Sequence, residues 1–141
     1  MSKKQSRKPL NSKPSIIVRG EFGIETSKMY IVAALIMFHI IPLMFLFMGD
    51  NGKILLSTMF MFTLNPIFIF AVGFFNGIRI GFTWRFPLLL MVLSTASVLM
   101  YYDIASAENF VITGMICLII YGLFSIASEV IGAYLKRYIG G

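Results

Sequence analysis

Four runs of apolar residues, separated by short polar breaks, organise this chain: Met29–Met48, Ile54–Phe74, Phe86–Tyr102 and Phe110–Tyr134. Each has the length that a hydrocarbon layer demands of a helix, roughly 17–25 residues. In lipid every backbone amide must find its partner within the segment, so unbroken apolar runs predict helices. The period-two alternation of a barrel strand is missing. Gly49-Asp50-Asn51-Gly52-Lys53 reads as a turn, and Asp103 to Asn109 is similarly small. Connections this short make successive helices antiparallel neighbours. The pattern predicts an all-α integral membrane protein: an antiparallel four-transmembrane-helix bundle over residues 29–141. A basic tail, residues 1–28, precedes it and is expected to be largely disordered.

Charge adds an orientation. Of the 12 basic residues, Lys3, Lys4, Arg7, Lys8, Lys13, Arg19 and Lys28 precede the first run. Arg79 and Arg85 separate the second run from the third, and Lys136 and Arg137 follow the fourth; Lys53 alone falls on the other side. Short loops rich in Lys and Arg stay cytoplasmic, which predicts both termini inside. Aromatic residues mark the same boundaries without sharing any of these positions. Tyr30, Trp84, Tyr134 and Tyr138 fall at the expected inner interface, and Tyr101 and Tyr102 at the outer one. Phe47-Met48-Gly49-Asp50 is no cleavage site for a secretory leader, so the first run is expected to be retained.

Composition then narrows the function. With 58% apolar residues, 13% charged residues and a mean hydropathy of +0.87, the chain is no ordinary soluble domain and the lipid bilayer is its first partner; the compact layout without a soluble domain makes a bacterial cytoplasmic membrane the expected location. The basic pI of about 9.7 follows from topology, so nucleic acid is not an expected partner. One cysteine, Cys117, excludes an intramolecular disulfide and a cysteine-based metal site. Nucleophile, phosphate-cradle and metal motifs are missing, so no enzyme, cofactor or metal is expected.

Four groups of residues remain as candidates. Gly73, Gly77 and Gly81, spaced by four, form a small-residue groove for another helix, whether internal, from a second copy or from a partner. On the fourth run Gly114, Tyr121, Ser125, Ser128 and Gly132 share a face. His39 and Asn65 lie near mid-membrane beside Pro42 and Pro66, which tend to kink helices and free carbonyls. With Ser94 and Tyr121 they form a candidate mid-membrane polar site, the plain alternative being interhelical hydrogen bonding. Glu129, the acid inside a run, is expected to ion-pair with Arg79, Arg85 or Lys136. Arg79, Trp84 and Arg85 form a candidate docking surface at the inner face.

The leading expectation is a non-enzymatic accessory or regulatory membrane protein acting through helix–helix contacts with a membrane partner or with itself. The alternative is a small homo-oligomeric transporter or channel with His39 and Asn65 along its path and Glu129 as the coupling acid. A lipid-headgroup enzyme using Asp103 and Glu108 is the weaker alternative.

Overall fold

The computed structural model describes residues 19–101 and 107–139. These are almost entirely helical: α1 (Ile24–Phe47), α2 (Asp50–Ile80), α3 (Arg85–Tyr101) and α4 (Ala107–Ile139). Three are long and apolar enough to cross a membrane: α1, α2 and the Asn109–Ile139 portion of α4. The 17 residues of α3 are apolar but shorter, about 26 Å at 1.5 Å per residue.

Side-chain contacts give the mutual directions. Phe45 lies edge-on to Phe60 and Phe38 to Phe68, so α1 and α2 run antiparallel. Tyr30 against Phe86 and His39 against Tyr101 set α1 and α3 parallel. A Cβ at Gly122 would meet Met91, and one at Gly114 would meet Leu99, which makes α3 and α4 antiparallel. The closest pair is α2 and α4, side by side and parallel. Gly73 lies against Ser125 and Ser128, Gly77 against Glu129 and Ala133, and Gly132 against Phe74 and Ile78. Lipid supplies no hydrophobic drive between helices, so this approach of bare backbone supplies the dispersion contact that holds the pair.

The exterior is apolar and much of the interior is polar. Phe47, Phe62, Phe75 and Leu123 are exposed, whereas Ser27, Asn65, Asn76, Ser94, Ser125, Ser128 and Glu129 are fully buried. Such a distribution suits a lipid surround.

Both intrahelical prolines leave a signature. A π-helical turn, Ile36–Ile40, leads up to Pro42, and a second, Phe60–Leu64, to Pro66. The amide of Ile41 donates to Ile36 O, and that of Asn65 to Phe60 O, each reaching one residue farther back than in an α-helix. The wider turn makes room for a ring that would otherwise collide with a carbonyl four residues earlier.

Several boundaries differ from the sequence expectation, among them those of α4, which runs Ala107–Ile139 rather than Phe110–Tyr134; three others bear on the site. Asp50 to Lys53 is no turn but the start of α2, with Lys53 N donating to Gly49 O at 3.0 Å. Asp50 at that position faces unsatisfied amides, where a carboxylate is favourable. Helix α1 begins at Ile24, before the expected Met29, because Gly23 stops the helix and nothing after it does. Finally, α2 ends at Ile80, so the glycine groove does not continue through Gly81. Gly81 adopts φ 102°, ψ −179° and donates its amide to Gly77 O at 2.9 Å. It ends the helix and turns the chain.

Candidate functional site: a buried carboxyl hub

Gly81 sets up the most unusual arrangement in the molecule. Its positive φ turns the chain from α2 toward α3 through Phe82, Thr83 and Trp84. Arg19 and Gly20 lie along this turn as a short bridge, with Gly20 N donating to Phe82 O at 3.0 Å. Held in this way, Thr83 points inward to Glu129 of α4. Its hydroxyl donates to Glu129 Oε1 at 2.9 Å and its amide to the same oxygen at 3.2 Å. Asn76 of α2 donates its Nδ2 to Oε1 as well, at 3.0 Å. The other end of the Asn76 amide, Oδ1, accepts from Ser27 Oγ of α1 at 3.2 Å. One carboxyl oxygen thus ties α4 to α2 and to the α2–α3 turn, and Asn76 extends the network to α1.

The second oxygen has no such set. Glu129 is fully buried, and Oε2 has no hydrogen-bond partner among the described residues. The ion pair expected for Glu129 is not formed. Lys136 Nζ donates instead to Arg79 O at 2.9 Å and Ile80 O at 2.8 Å, the last carbonyls of α2. Those carbonyls carry the negative end of the helix dipole and lack helical donors, so an ammonium is well placed there. Arg79 and Arg85 are exposed and make no ion pair among the described residues. Trp84 is also exposed, edge-on to Phe82.

The residues of the candidate polar site find different surroundings. Ser94 Oγ donates back to its own helix, to Leu90 O at 2.7 Å, and is fully buried. The ring of His39 packs edge-on against Tyr101 with 6.0 Å between centroids, and its Nδ1 is buried without a hydrogen bond. Ser94 precedes Tyr101 by seven residues, about 10 Å along the α3 axis, so His39 and Ser94 occupy different levels. Asn65 is fully buried in α2. Tyr121 donates its hydroxyl to Met61 O at 2.8 Å, inside the π-helical turn before Pro66. That carbonyl needs an outside donor: the Asn65 amide goes to Phe60 O, and Pro66 has none. Tyr121→Phe is therefore expected to leave a partly buried carbonyl unmet and cost about 1 kcal/mol. Thermal unfolding in mild detergent reads this as a lower Tm with helicity retained.

Of the remaining candidates, Gly73 and Gly77 face α4 of the same chain, so that groove is already filled. Gly114 faces α3, whereas Ser128 and Gly132 face α2. The leader before Arg19, Tyr102 and Asp103 lie outside the described residues, as does the side chain of Glu108.

Sequence reasoning missed Ser27, Asn76 and Thr83. The rule that singled out Asn65, an amide within an apolar helix, applies equally to Asn76. Asn76 lies two residues beyond the second apolar run, which ends at Phe74. Ser27 falls just before the first run, and Thr83 carries no signal of its own.

Fold and hub together define a class: an all-helical, membrane-type protein with three helices of crossing length among the described residues and a buried carboxyl shared by three segments. Comparison with protein-family models, curated proteins and solved structures finds no match.

Proposed function

We propose that this chain is an integral protein of a bacterial cytoplasmic membrane, crossing it four times with both termini inside. In this reading α3 is the third crossing. Arg19, Lys28, Arg79, Arg85, Lys136 and Arg137 lie toward the cytoplasm, and Lys53 lies at the opposite end. The protein works without covalent chemistry, as a small homo-oligomeric transporter in which Glu129 is the coupling acid. One observation carries this reading: Glu129 is fully buried in a helix of crossing length, with one oxygen unmatched and no cationic side chain bonded to it. An ionisable group in that position is costly to keep, and its usual use is to bind what is moved.

The accessory reading loses the Gly73–Gly77 face, which is closed by α4. It keeps the exposed corner of Arg79, Trp84 and Arg85, which a membrane partner could engage.

Proteoliposomes on a solid-supported membrane separate the two. An imposed Na+ or H+ gradient is expected to drive a transient current that Glu129→Gln lowers at least about tenfold, a loss of about 1.4 kcal/mol in the moving step. Arg79→Ala with Arg85→Ala is expected to leave the current in place. No current, with a stoichiometric second protein co-purifying unless both arginines are replaced, would favour the accessory reading instead.

A further inference from the structure

The turn that carries Thr83 inward also carries charge and an aromatic ring outward. Arg79 and Arg85 flank it, Trp84 sits on it, and Arg19 joins it through the bridge to Phe82. All four residues are exposed, Trp84 to 63%. None of the three guanidinium groups has a hydrogen bond or ion pair among the described residues. Lys136 is the contrast, its ammonium being taken up by the carbonyls of Arg79 and Ile80. Glu21 and Glu25 are exposed acids at this end but pair with none of the arginines, and Lys28 and Arg137 are exposed as well, so the end stays positive. The arginines also stand at the edge of the apolar exterior. Phe75 precedes Arg79 by four residues on α2, and Leu88 follows Arg85 by three on α3, spacings that put each pair on one helix face. Both apolar side chains are exposed, at 56% and 49%. A surface that passes from exposed Phe and Leu directly to guanidinium matches the step from acyl chain to headgroup, because an arginine stem lies along apolar surface while its head reaches the polar level.

We propose that this corner, Arg19, Arg79, Trp84 and Arg85, is a docking surface for anionic phospholipid headgroups. A guanidinium is a planar fork whose donors meet phosphate oxygens in pairs, and here the donors are free. Net charge supplies the selection: a zwitterionic headgroup brings its own cation to a positive surface, whereas an anionic one does not. The Trp84 ring, edge-on to Phe82 with 5.1 Å between centroids, adds an apolar body with a polar N–H, suited to the same level. A soluble anion would use the arginines but leave Phe75 and Leu88 uncovered; a phospholipid covers both parts. The corner that the accessory reading leaves for a membrane partner is thereby given to lipid. Bound lipid holds the turn at the membrane surface and takes no part in the moving step, so the proposal stands or falls apart from the role of Glu129.

Trp84 is the single tryptophan, so its emission reports on this corner alone. The full chain is placed in lipid nanodiscs of phosphatidylcholine mixed with phosphatidylglycerol. In one series the phosphatidylglycerol carries bromine on its acyl chain, and in the other an equal mole fraction of the phosphatidylcholine does. Bromine quenches tryptophan on contact, so the ratio of quenching gives the local preference. The parent is expected to favour phosphatidylglycerol by at least about fivefold, the effect of one nearby arginine on an anionic lipid. Arg79→Ala with Arg85→Ala is expected to remove the preference. These changes truncate exposed side chains and leave the Arg79 carbonyl that holds Lys136 in place. Lys53→Ala, at the far end of α2, is expected to keep the preference of the parent. Sodium phosphate exchanged for NaCl at constant ionic strength is expected to leave the quenching unchanged. Equal quenching by the two lipids in the parent overturns the proposal, as does a preference that survives loss of both arginines or vanishes with Lys53. Displacement by inorganic phosphate would assign the arginines to a free anion, and quenching by neither lipid would put Trp84 under protein; either result also overturns it.

Discussion

Gly77→Leu is expected to cost the folded protein about 3 kcal/mol or more, the upper range of overpacking in a filled interior. A Cβ at Gly77 runs into the carbonyl oxygen of Glu129 and comes within 2.9 Å of the Ala133 amide nitrogen. Both atoms are helix backbone and cannot swing aside as a side-chain tip would. The helices must part. Separation would also draw Asn76, the preceding residue, away from Glu129. The extra leucine brings no compensating burial, because lipid is as apolar as a protein interior. Gly132→Leu should behave alike, since its Cβ meets Phe74 O and lies 3.0 Å from Ile78 N. Gly52→Ala is the control: nothing lies within 4 Å of that Cβ, and alanine is the better helix former. Thermal unfolding of the three variants in one detergent checks the ranking. A Gly77→Leu protein as stable as its parent, but altered in self-association, would mean that this face docks between molecules after all.

The second large effect is expected at Gly81. Its φ of 102° and ψ of −179° fall in a region that side-chain-bearing residues scarcely enter. Gly81→Val should therefore cost about 3 kcal/mol, the high end for such strain, valine being β-branched. Relief of the strain requires the turn to move, and the turn carries Thr83. Two of the three hydrogen bonds on Glu129 Oε1 come from Thr83, so the hub should loosen with it. The expected readout is a lower Tm together with a shifted emission from Trp84. Gly49→Val is the matched control, at φ −66° with nothing within 4 Å of the new Cβ. Equal losses at the two glycines would show that the effect is not conformational.

Much of the helical content was legible in the sequence, because apolar runs of bilayer length leave the backbone few options. Boundaries were less legible. Asp50 to Lys53 has the composition of a turn, yet the chain folds it into α2 and satisfies Lys53 N with Gly49 O. The same imprecision concealed the hub. Ser27 lies just before one run and Asn76 just after another as judged by hydropathy, and polar residues at a boundary look like solvent-facing ones. Glu129 itself stands out as a lone acid, but opposite charge points to Arg79, Arg85 and Lys136. The donors Asn76 and Thr83 are neutral and so give no such signal. Lys136 was diverted by carbonyls at the end of α2, which no residue letter encodes.

By itself, then, the amino-acid order determined an all-helical chain with an apolar exterior, a strongly one-sided charge and close-packing glycines. Those are properties of single segments and their solvent, set by amide satisfaction and side-chain size. Tertiary structure alone decided that Gly73 and Gly77 close on α4, that Gly81 turns the chain, and that Glu129 meets Asn76 and Thr83 rather than an arginine. Each of these depends on which face of one helix meets another. That is fixed by the joint packing of segments about 50 residues apart, where α2 comes against α4.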